Sequence, residues 1–469
     1  MASRDYEILF HRFKRFGEKY LITVDNGAWI FLNKKEFMQL ESGILDEELK
    51  SKLEKGLIIK TPKNIQEFND KNYRSHWYRG NGTSLHIMIP TLRCNHTCKY
   101  CYAFRKPEEA NGYDMNPEIA RSATDFVFQT PASSNVIEFS GGEPLLRFDI
   151  VKIIINRAQR LKETTGKDIG FALVTNGSLL DDEKFEFLKK NKVGICISFD
   201  GPKHIHDYHR KFTKDPNKST YDVVVSKLEW LKKDKKYPYV FAIPVITKKS
   251  LENWKEIVDE YIAQQISVYR FKYLSHFGFA SSKDIWGELG YTSEEFIEGW
   301  KKTLDYVLSL YKKKIAISEN FTINILRKLI GNLDPGFAEM QAPCGAVIGQ
   351  TVYNYDGSIF PCDEARTLPE FKMGDVREST YEEKIKHPIT YSMASASSLV
   401  ESCYDCPYYP FCGTCPLETY KMNGCFVTNM PNSYRCKIHT AMFDYIFQKI
   451  AEDDEFLNLV RRWANVKQG

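Results

Sequence analysis

The chain has 469 residues, of which 43% are hydrophobic and 27% are charged. Lysine and arginine number 65 against 61 aspartate and glutamate, a net charge of +4 that is too balanced to favour nucleic acid or a membrane as a partner. No apolar run approaches the ~20 residues of a spanning helix, and the charged N-terminus lacks the apolar core of a signal peptide. We therefore expect a cytoplasmic protein, in which 12 cysteines favour metal or cluster binding over disulfides.

The first 75 residues have the pattern of a small separate unit. Two β-rich runs, 20–24 and 29–32, flank the Asn26-Gly27 pair and predict a β-hairpin. Helical patterns follow at 34–40 and 46–55. The polar, glycine-containing stretch 73–82 is typical of a linker.

Apolar strand patterns alternate with helical patterns from residue 84 to residue 275. This alternation predicts an α/β domain with a parallel sheet covered by helices. Candidate functional residues fall where the strands end, the edge at which α/β barrels hold their active sites. The predicted strands are 84–92, 136–140, 169–175, 194–199, 239–247 and 268–274.

Beyond the alternating region the sequence changes character twice. Residues 276–343 are predicted to form a helical bridge, and residues 441–469 terminal helices. Between them, residues 344–440 are rich in cysteine, proline and tyrosine and contain little apolar sequence for an ordinary core. Metal is therefore expected to hold this segment together.

Three cysteines form the most specific motif in the chain. Cys94, Cys98 and Cys101 have the spacing C-x3-C-x2-C, which supplies three thiolates to a [4Fe–4S] cluster and leaves one iron without a protein ligand. Gly141-Gly142-Glu143-Pro144 follows about one strand–helix unit later. Together the two motifs resemble the radical S-adenosylmethionine (radical SAM) superfamily. Structural thiols or a zinc site are the alternatives, although no fourth zinc ligand is evident.

The resemblance implies a partial (β/α)6 TIM barrel and S-adenosyl-L-methionine bound to the open iron, yielding a 5′-deoxyadenosyl radical that removes hydrogen from carbon. Tyr100 is then expected beside the adenine, and Glu143 near the methionine ammonium group. Gly141 and Gly142 would let the backbone approach the methionine closely.

Further cofactor contacts follow from the same resemblance. Ser198 and Arg210 match positions that contact the ribose and the carboxylate, and arginine suits a carboxylate chemically. The alternatives are a turn-forming role for Ser198 and Asp200 and a surface cation for Arg210. Cys196, on an apolar strand, is expected in the core. The remaining predicted cofactor-site residues are Thr175 and Asn176.

A second cysteine array lies in the C-terminal third of the chain and resembles the SPASM domain of peptide-modifying radical SAM enzymes, which carries two auxiliary [4Fe–4S] clusters. Cys425 is the candidate for a missing fourth ligand of the inner cluster, the alternative being an open iron. A pair of zinc knuckles is the other interpretation of the array. The resemblance implies Cys403, Cys406, Cys412 and Cys436 for an outer cluster, and Cys344, Cys362 and Cys415 for an inner one.

Asp363, directly after Cys362, matches an aspartate that acts as a proton acceptor in anaerobic sulfatase-maturing enzymes. A plain turn residue is the alternative. The auxiliary clusters would either accept the electron left on an oxidised product radical or only brace the fold.

The N-terminal pattern resembles the winged-helix-like, PqqD-like modules that bind a leader peptide by strand addition; a unit that only covers the barrel is the alternative. Together with the Pro-Cys-Asp-Glu run at 361–364, this pattern is most similar to HxsB-type maturases of His-Xaa-Ser peptide systems. The expected function is a two-electron oxidative cross-link in a ribosomal precursor peptide, with flavodoxin or ferredoxin as reductant. A formylglycine-forming sulfatase maturase and a non-enzymatic zinc scaffold are the rival interpretations.

Overall fold

The computed structural model describes residues 5–331, 333, 336, 338–341, 344–413, 415–426 and 430–466. Contacts divide the chain into two compact units. Residues 1–80, 322–345 and 393–469 form the first unit, and residues 81–321 with 346–392 form the second. The predicted five-part division (1–75, 84–275, 276–343, 344–440 and 441–469) stays a prediction, and parts of 276–343, 344–440 and 441–469 lie outside the described residues.

The N-terminal part of the first unit contains a three-stranded antiparallel sheet in the order β2-β3-β4, and β1 pairs separately with β5. The predicted hairpin is confirmed as β3 and β4, where Tyr20 lies opposite Leu32. Gly27 in the connecting turn has a φ of +78°, which glycine adopts without strain. The strands are β1 (Glu7–Ile8), β2 (His11–Phe16), β3 (Lys19–Val24), β4 (Trp29–Leu32) and β5 (Ile59–Lys60).

Two predicted helices follow the hairpin and are confirmed as Lys34–Ser42 and Glu47–Lys55. Each begins where a side chain accepts a hydrogen bond from the first turn, Asn33 in one helix and Asp46 in the other. The predicted linker 73–82 contains the boundary between the two units but is largely helical, because helices Ile65–His76 and Tyr78–Asn81 occupy most of it. Its polar residues include good helix formers, so polarity alone did not indicate a loop.

The second unit contains an eight-stranded sheet in the order β12-β11-β10-β9-β6-β15-β16-β17. Neighbours from β12 to β15 are parallel, and β16 and β17 are antiparallel additions. This is the α/β arrangement that the sequence predicts. The strands are β6 (Leu85–Met88), β7 (Arg93–Cys94), β8 (Lys106–Pro107), β9 (Ser134–Phe139), β10 (Asp168–Thr175), β11 (Gly194–Ser198), β12 (Val240–Ile243), β13 (Val268–Tyr269), β14 (Ser318–Glu319), β15 (Gln350–Tyr353), β16 (Ser358–Phe360) and β17 (Gly374–Asp375).

The sixth predicted strand does not join this sheet. Only β13 forms from 268–274, and it pairs with β14. The backbone N–H of Phe271 donates to the buried Glu319 carboxylate (2.8 Å), and that of Leu274 to the Tyr291 hydroxyl (2.6 Å), so neither is available for sheet pairing. On the other side of β6, β15 extends the sheet with residues that the sequence assigned to the C-terminal region.

Helices of the second unit connect successive strands, as predicted. The longest, Ser293–Lys312, begins with a capping box formed by its N-cap Thr292 and by Glu295. The helices are Pro117–Phe128, Phe148–Thr165, Asp182–Lys190, Lys203–His209, Thr220–Glu229, Lys248–Glu252, Trp254–Ala263, Lys283–Leu289, Ser293–Lys312, Tyr381–Ile385 and much of Pro388–Ser395.

The remaining helices belong to the first unit. The terminal helices predicted for 441–469 are confirmed as Tyr434–Glu452 and Asp454–Trp463, although the first begins before 441 and so includes Cys436. No helix within the described residues is long and apolar enough to cross a membrane. These helices are most of Asn320–Gly331, Glu401–Tyr404, Pro416–Asn423, Tyr434–Glu452 and Asp454–Trp463.

Candidate functional site

The three cysteines of the first motif lie in one loop at the carboxyl edge of the sheet. Cys94 ends β7 and is buried, while Cys98 and Cys101 are half-buried. The Cys101 N–H donates to the Cys98 carbonyl (3.3 Å), which keeps the end of the loop compact. Burial raises the pKa of Cys98 to about 12, and the nearby Cys101 thiol adds to that rise. The structure therefore brings the three thiols together in a partly dry site.

The Gly-Gly-Glu-Pro turn is hydrogen-bonded to the chain just before the cysteine loop. The Gly142 N–H donates to the Thr91 carbonyl (2.9 Å), and the Glu143 N–H to the Arg93 carbonyl (2.8 Å). A Cβ at Gly142 would lie 2.2 Å from the Arg93 oxygen, and one at Gly141 would lie 2.7 Å from the Thr91 oxygen. The glycines are therefore required by the protein's own backbone, and their predicted contact with methionine stays a prediction.

The buried carboxylate of Glu143 connects its own turn to the turn after β10, and that turn contacts the cysteine loop. It accepts hydrogen bonds from the Thr175 hydroxyl (2.7 Å) and the Asn176 backbone N–H (2.9 Å). The Asn176 side-chain amide donates in turn to Asn95 (2.8 Å), which follows Cys94 directly. Burial raises the pKa of Glu143, and these hydrogen bonds oppose the rise. The turns after β9 and β10 and the cysteine loop thus form one hydrogen-bonded network.

Arg210 and Asp200 form a buried ion pair beside Cys98. The Arg210 Nε donates to Asp200 (2.9 Å), and its Nη1 lies 3.7 Å from the Cys98 sulfur. Burial opposes ionisation of Asp200, but Arg210 and the neighbouring histidine His209 hold the pKa of its carboxyl below the usual range. Arg210 is 7% exposed, so the interpretation as a surface cation is wrong.

Tyr100 is tied to the same pair. Its hydroxyl donates to Asp200, and the Arg210 guanidinium lies 5.3 Å from its ring centre. Ser198, at the end of β11, is half-buried two residues before Asp200. Cys196 is also half-buried on β11 rather than enclosed in the core. The cofactor contacts predicted for Tyr100, Ser198, Asp200 and Arg210 stay predictions.

The polar atoms around the cysteine loop fit an anionic cluster. Arg105 and Arg210 both act on the pKa of the Cys98 thiol, lowering it against the larger effect of burial. Both ring nitrogens of His96 and the Nε of Arg105 are buried and have no hydrogen-bond partner among the described residues. Two guanidinium groups and an unsatisfied imidazole suit the sulfurs and negative charge of a thiolate-ligated [4Fe–4S] cluster.

No group of three or more His, Cys, Asp or Glu side chains in the described part of the chain is spaced to hold a single metal ion. A [4Fe–4S] cube binds each thiolate through a different iron, so its ligands stand further apart than those of one ion.

Asp363 lies against the residue that follows the cysteine loop. Its two carboxylate oxygens accept hydrogen bonds from the Arg366 Nε and from the Tyr102 hydroxyl, each at 2.5 Å. Because Tyr102 directly follows Cys101, this contact joins Asp363 to the first motif. Asp363 is 9% exposed. Its predicted role as a proton acceptor stays a prediction.

Glu138 is a second carboxyl group near this position that sequence reasoning missed. It is half-buried on β9, next to Ile87 of β6 and Ala172 of β10. Burial raises its pKa to about 7; Asp363 adds to the rise and Arg270 opposes it. The available signal was an acidic residue inside an otherwise apolar strand that runs into the Gly-Gly-Glu-Pro turn.

In the first compact unit, four cysteines of the second array converge. Burial raises the pKa of Cys403 to about 12, and the nearby Cys436 and Cys406 thiols add to it. Burial also raises the pKa of Cys412, and the thiols of Cys403, Cys406 and Cys436 add to that rise. These are the four residues predicted for the outer cluster, and their role as ligands stays a prediction.

The cysteines predicted for the inner cluster are divided between the two compact units. Cys344 is buried, Cys415 is half-buried and Cys425 is exposed, all within the first unit. Cys362 is buried in the second unit. The inner-cluster ligand set stays a prediction.

Comparison with known proteins identifies the domain that carries the first motif. Residues 88–261 match the family model of the Radical SAM superfamily. Residues 88–261 are a radical SAM domain. The match includes the three cysteines, the Gly-Gly-Glu-Pro turn and the buried Asp200–Arg210 pair.

Similar proteins extend beyond this domain. A cysteine-type anaerobic sulfatase-maturating enzyme of Clostridium perfringens is 24% identical over 374 residues, spanning 78% of this chain and 97% of that protein. The solved structure of anSMEcpe with AdoMet and Cp18Cys peptide has a TM-score of 0.65 at 20% identity, covering 81% of this chain and 99% of that one. Streptococcus suis SuiB bound to precursor peptide SuiA has a TM-score of 0.53 at 17% identity, covering 92% and 98%. At these low sequence identities, the structural matches show that this chain shares the fold of those proteins, and nothing more.

The chain is accordingly an enzyme, and the cofactors of its radical SAM domain are a [4Fe–4S] cluster and S-adenosyl-L-methionine. The rival interpretation as a non-enzymatic zinc scaffold is wrong, because the domain that carries the cysteine loop is a radical SAM domain.

Proposed function

We propose that this radical SAM enzyme modifies a ribosomally made precursor peptide, removing two hydrogens to form an oxidative cross-link. The observation that carries the proposal is the second group of four converging thiols in a chain that already has a radical SAM domain. Of the two electrons that such an oxidation removes, one would leave with the hydrogen atom taken by the 5′-deoxyadenosyl radical, and an auxiliary cluster would accept the other. The likeness to SuiB bound to precursor peptide SuiA, over 92% of this chain, supports a peptide substrate.

The residues of the first site have distinct roles in this proposal. Cys94, Cys98 and Cys101 would hold the cluster, which together with S-adenosyl-L-methionine supplies a 5′-deoxyadenosyl radical when bound. Glu143 and the Asp200–Arg210 pair hold the surrounding turns in place, so that reacting groups are positioned before the reaction.

Asp363 would accept the proton that leaves the substrate. Arg366 and Tyr102 orient its carboxylate, and substrate entry would have to displace one of them before a proton is taken up.

The N-terminal part of the first unit would recognise the leader of the peptide. Within the described residues, β2 and β4 are the edge strands of the three-stranded sheet, and an extended peptide can add to such an edge. This PqqD-like role, the closer assignment to the HxsB type, the auxiliary clusters and a flavodoxin or ferredoxin as reductant are parts of the proposal.

A second candidate function is oxidation of a cysteine or serine to formylglycine. The observation that favours it is the likeness to the Clostridium perfringens sulfatase-maturating enzyme, which spans 97% of that protein. About a fifth of this chain lies outside that match, since the match covers 78% of it. That remainder is long enough for the peptide-recognition segment that the precursor-peptide proposal includes.

Reconstituted enzyme incubated with either peptide class distinguishes the two functions. A precursor peptide encoded beside the enzyme should lose two hydrogens by mass spectrometry and fail to react with a hydrazine probe. A sulfatase-derived peptide should remain unchanged. An aldehyde that forms a hydrazone on the sulfatase-derived peptide, with the precursor untouched, would favour the formylglycine function. Cys98→Ala serves as the inactive control for both peptides.

A further inference from the structure

Arg12 is a buried arginine on β2 that lies against the outer cysteine array. It is 3% exposed. Its Nε donates to the Tyr404 carbonyl, one residue after Cys403, and its Nη1 pairs with Asp25 (2.7 Å). Its Nη2 is buried and has no hydrogen-bond partner among the described residues. A buried N–H without an acceptor is costly, so this atom indicates a partner that the protein chain itself does not supply.

Aromatic rings enclose the Arg12 guanidinium. Its central carbon lies 4.8 Å from the ring centre of Phe10, 5.0 Å from Tyr404 and 4.8 Å from Tyr409. The rings exclude water, and a charge acts more strongly on its neighbours where water is excluded. Asp25 is 59% exposed at its side chain, so solvent weakens its compensation of the arginine charge.

The hairpin of β2 and β3 holds both ends of the Cys403-x2-Cys406 segment. On one side Arg12 binds the Tyr404 carbonyl. On the other, the Thr23 hydroxyl donates to the Pro407 carbonyl (2.7 Å), directly after Cys406.

Lys14, also on β2, pairs with Asp444 at 2.6 Å. The strand β2 thus carries Lys14 as well as Arg12.

We propose that Arg12 is a positioning residue of the outer iron–sulfur site: its Nη2 donates a hydrogen bond to a sulfur of that site, and its charge raises the reduction potential. The inference rests on the proposed function, which assigns a [4Fe–4S] cluster to Cys403, Cys406, Cys412 and Cys436. Reduction adds negative charge, which a buried cation and a hydrogen bond to sulfur stabilise. The N-terminal segment then contributes to the redox centre as well as to peptide recognition.

The test uses the full chain with only the outer cluster in place. Cys94, Cys98, Cys101 and Cys362 are replaced by alanine, the protein is reconstituted anaerobically with iron and sulfide, and the reduced cluster is followed by EPR during a redox titration. Arg12→Gln should shift the midpoint potential to more negative values. The matched control is Arg15→Gln on the same strand, whose side chain is 60% exposed, and it should leave the potential unchanged.

Arg12→Lys keeps the charge and removes the guanidinium, so it serves as a second variant if Arg12→Gln does not fold. With ¹⁵N-labelled arginine, electron–nuclear double resonance should detect a guanidinium nitrogen coupled to the reduced cluster in the parent, and this coupling should be lost in Arg12→Lys. Arg435, which also acts on Cys412, is present in both proteins and does not contribute to the difference.

The two levels of the proposal fail in different ways. If the parent holds no EPR-active cluster, the ligand assignment of the proposed function is overturned, and the role of Arg12 with it. If the cluster forms but its potential and nitrogen coupling are the same in the parent, Arg12→Gln and Arg12→Lys, the inference about Arg12 is overturned while the cluster assignment stands.

Discussion

The two groups of converging cysteines are built on different supports. The first lies in a loop at the carboxyl edge of a parallel sheet, where buried side chains such as Glu143 and Asp200 connect successive strand ends. The second lies on short helical turns and the start of helix Tyr434–Glu452, and a distant hairpin holds it through Arg12 and Thr23. A sheet edge can hold a site before any cofactor binds, whereas short turns depend on what they bind.

Iron removal tests this difference most strongly. Chelation of the iron from the reconstituted enzyme should abolish amide hydrogen-exchange protection over residues 401–426, because metal binding there is also folding. Protection in β9 and β10 should persist, since the sheet and its turn network need no metal. Exchange measured by mass spectrometry checks both regions in one experiment. Equal loss of protection in the two regions would show that the contrast is wrong.

Asp200→Asn removes a fully buried charge from the residues that support the first site. Arg210 would keep its charge in a dry environment without a partner, so the free energy of unfolding should fall by about 3–5 kcal/mol. Urea denaturation followed by circular dichroism measures the change. Asp222→Asn removes an exposed pair with Lys203 and should cost much less, because solvent screens that pair. A loss no larger than that of the control would contradict the buried-pair interpretation.

Gly142→Ala tests the backbone contact between the glycine turn and the segment before the cysteine loop. The added methyl group would lie 2.2 Å from the Arg93 oxygen, so backbone must move, at a cost of about 1–3 kcal/mol. The amount of iron that the first site binds should also be lower in Gly142→Ala than in wild type. Gly287→Ala is the control, because its Cβ would meet nothing within 4 Å in helix Lys283–Leu289. Wild-type stability and iron content in Gly142→Ala would reject the contact.

Glu138→Gln should give the smallest effect, and one that depends on pH. The pKa of Glu138 is raised from 4.5 to about 7, so the unfolded chain releases this proton at lower pH than the folded chain does. The contribution of Glu138 to the stability of the folded chain is therefore present below pH 4.5 and is lost as the pH rises through 7. Glutamine cannot ionise. The free energy of unfolding of Glu138→Gln, taken relative to wild type, should therefore be higher at pH 8 than at pH 5 by about 1–2 kcal/mol.

Urea denaturation at both pH values measures this difference, with the exposed Glu163→Gln as control. A difference that does not change with pH would rule out a shifted Glu138.

Local patterns predicted much of the second unit. The strand periods placed β6 and β9 to β12, and the motif spacing placed Cys94, Cys98 and Cys101 with the Gly-Gly-Glu-Pro turn. These features depend on neighbours within one strand–helix unit, which the sequence pattern contains. By contrast, the exclusion of 270–274 from the sheet depends on Tyr291 and Glu319, which lie 17 and 48 residues beyond the backbone groups that they bind.

Long-range contacts explain the remaining differences. Nothing near Arg12 in the sequence indicates that Tyr404 and Tyr409 enclose it. The pairing of β15 with β6 joins segments more than 250 residues apart, and no local period reports such a partner. Glu138 was missed because the alternation within one strand assigns side chains to the two faces of the sheet. It does not indicate which face lines the functional site.

The central claim is that the loop of Cys94, Cys98 and Cys101 carries the reactive cluster of a radical SAM enzyme. Anaerobic reconstitution followed by reduction and quantification of 5′-deoxyadenosine tests it directly. Wild-type protein should cleave S-adenosyl-L-methionine, and Cys98→Ala should form no 5′-deoxyadenosine while keeping the iron of its C-terminal cysteines. Undiminished 5′-deoxyadenosine from Cys98→Ala would contradict the account.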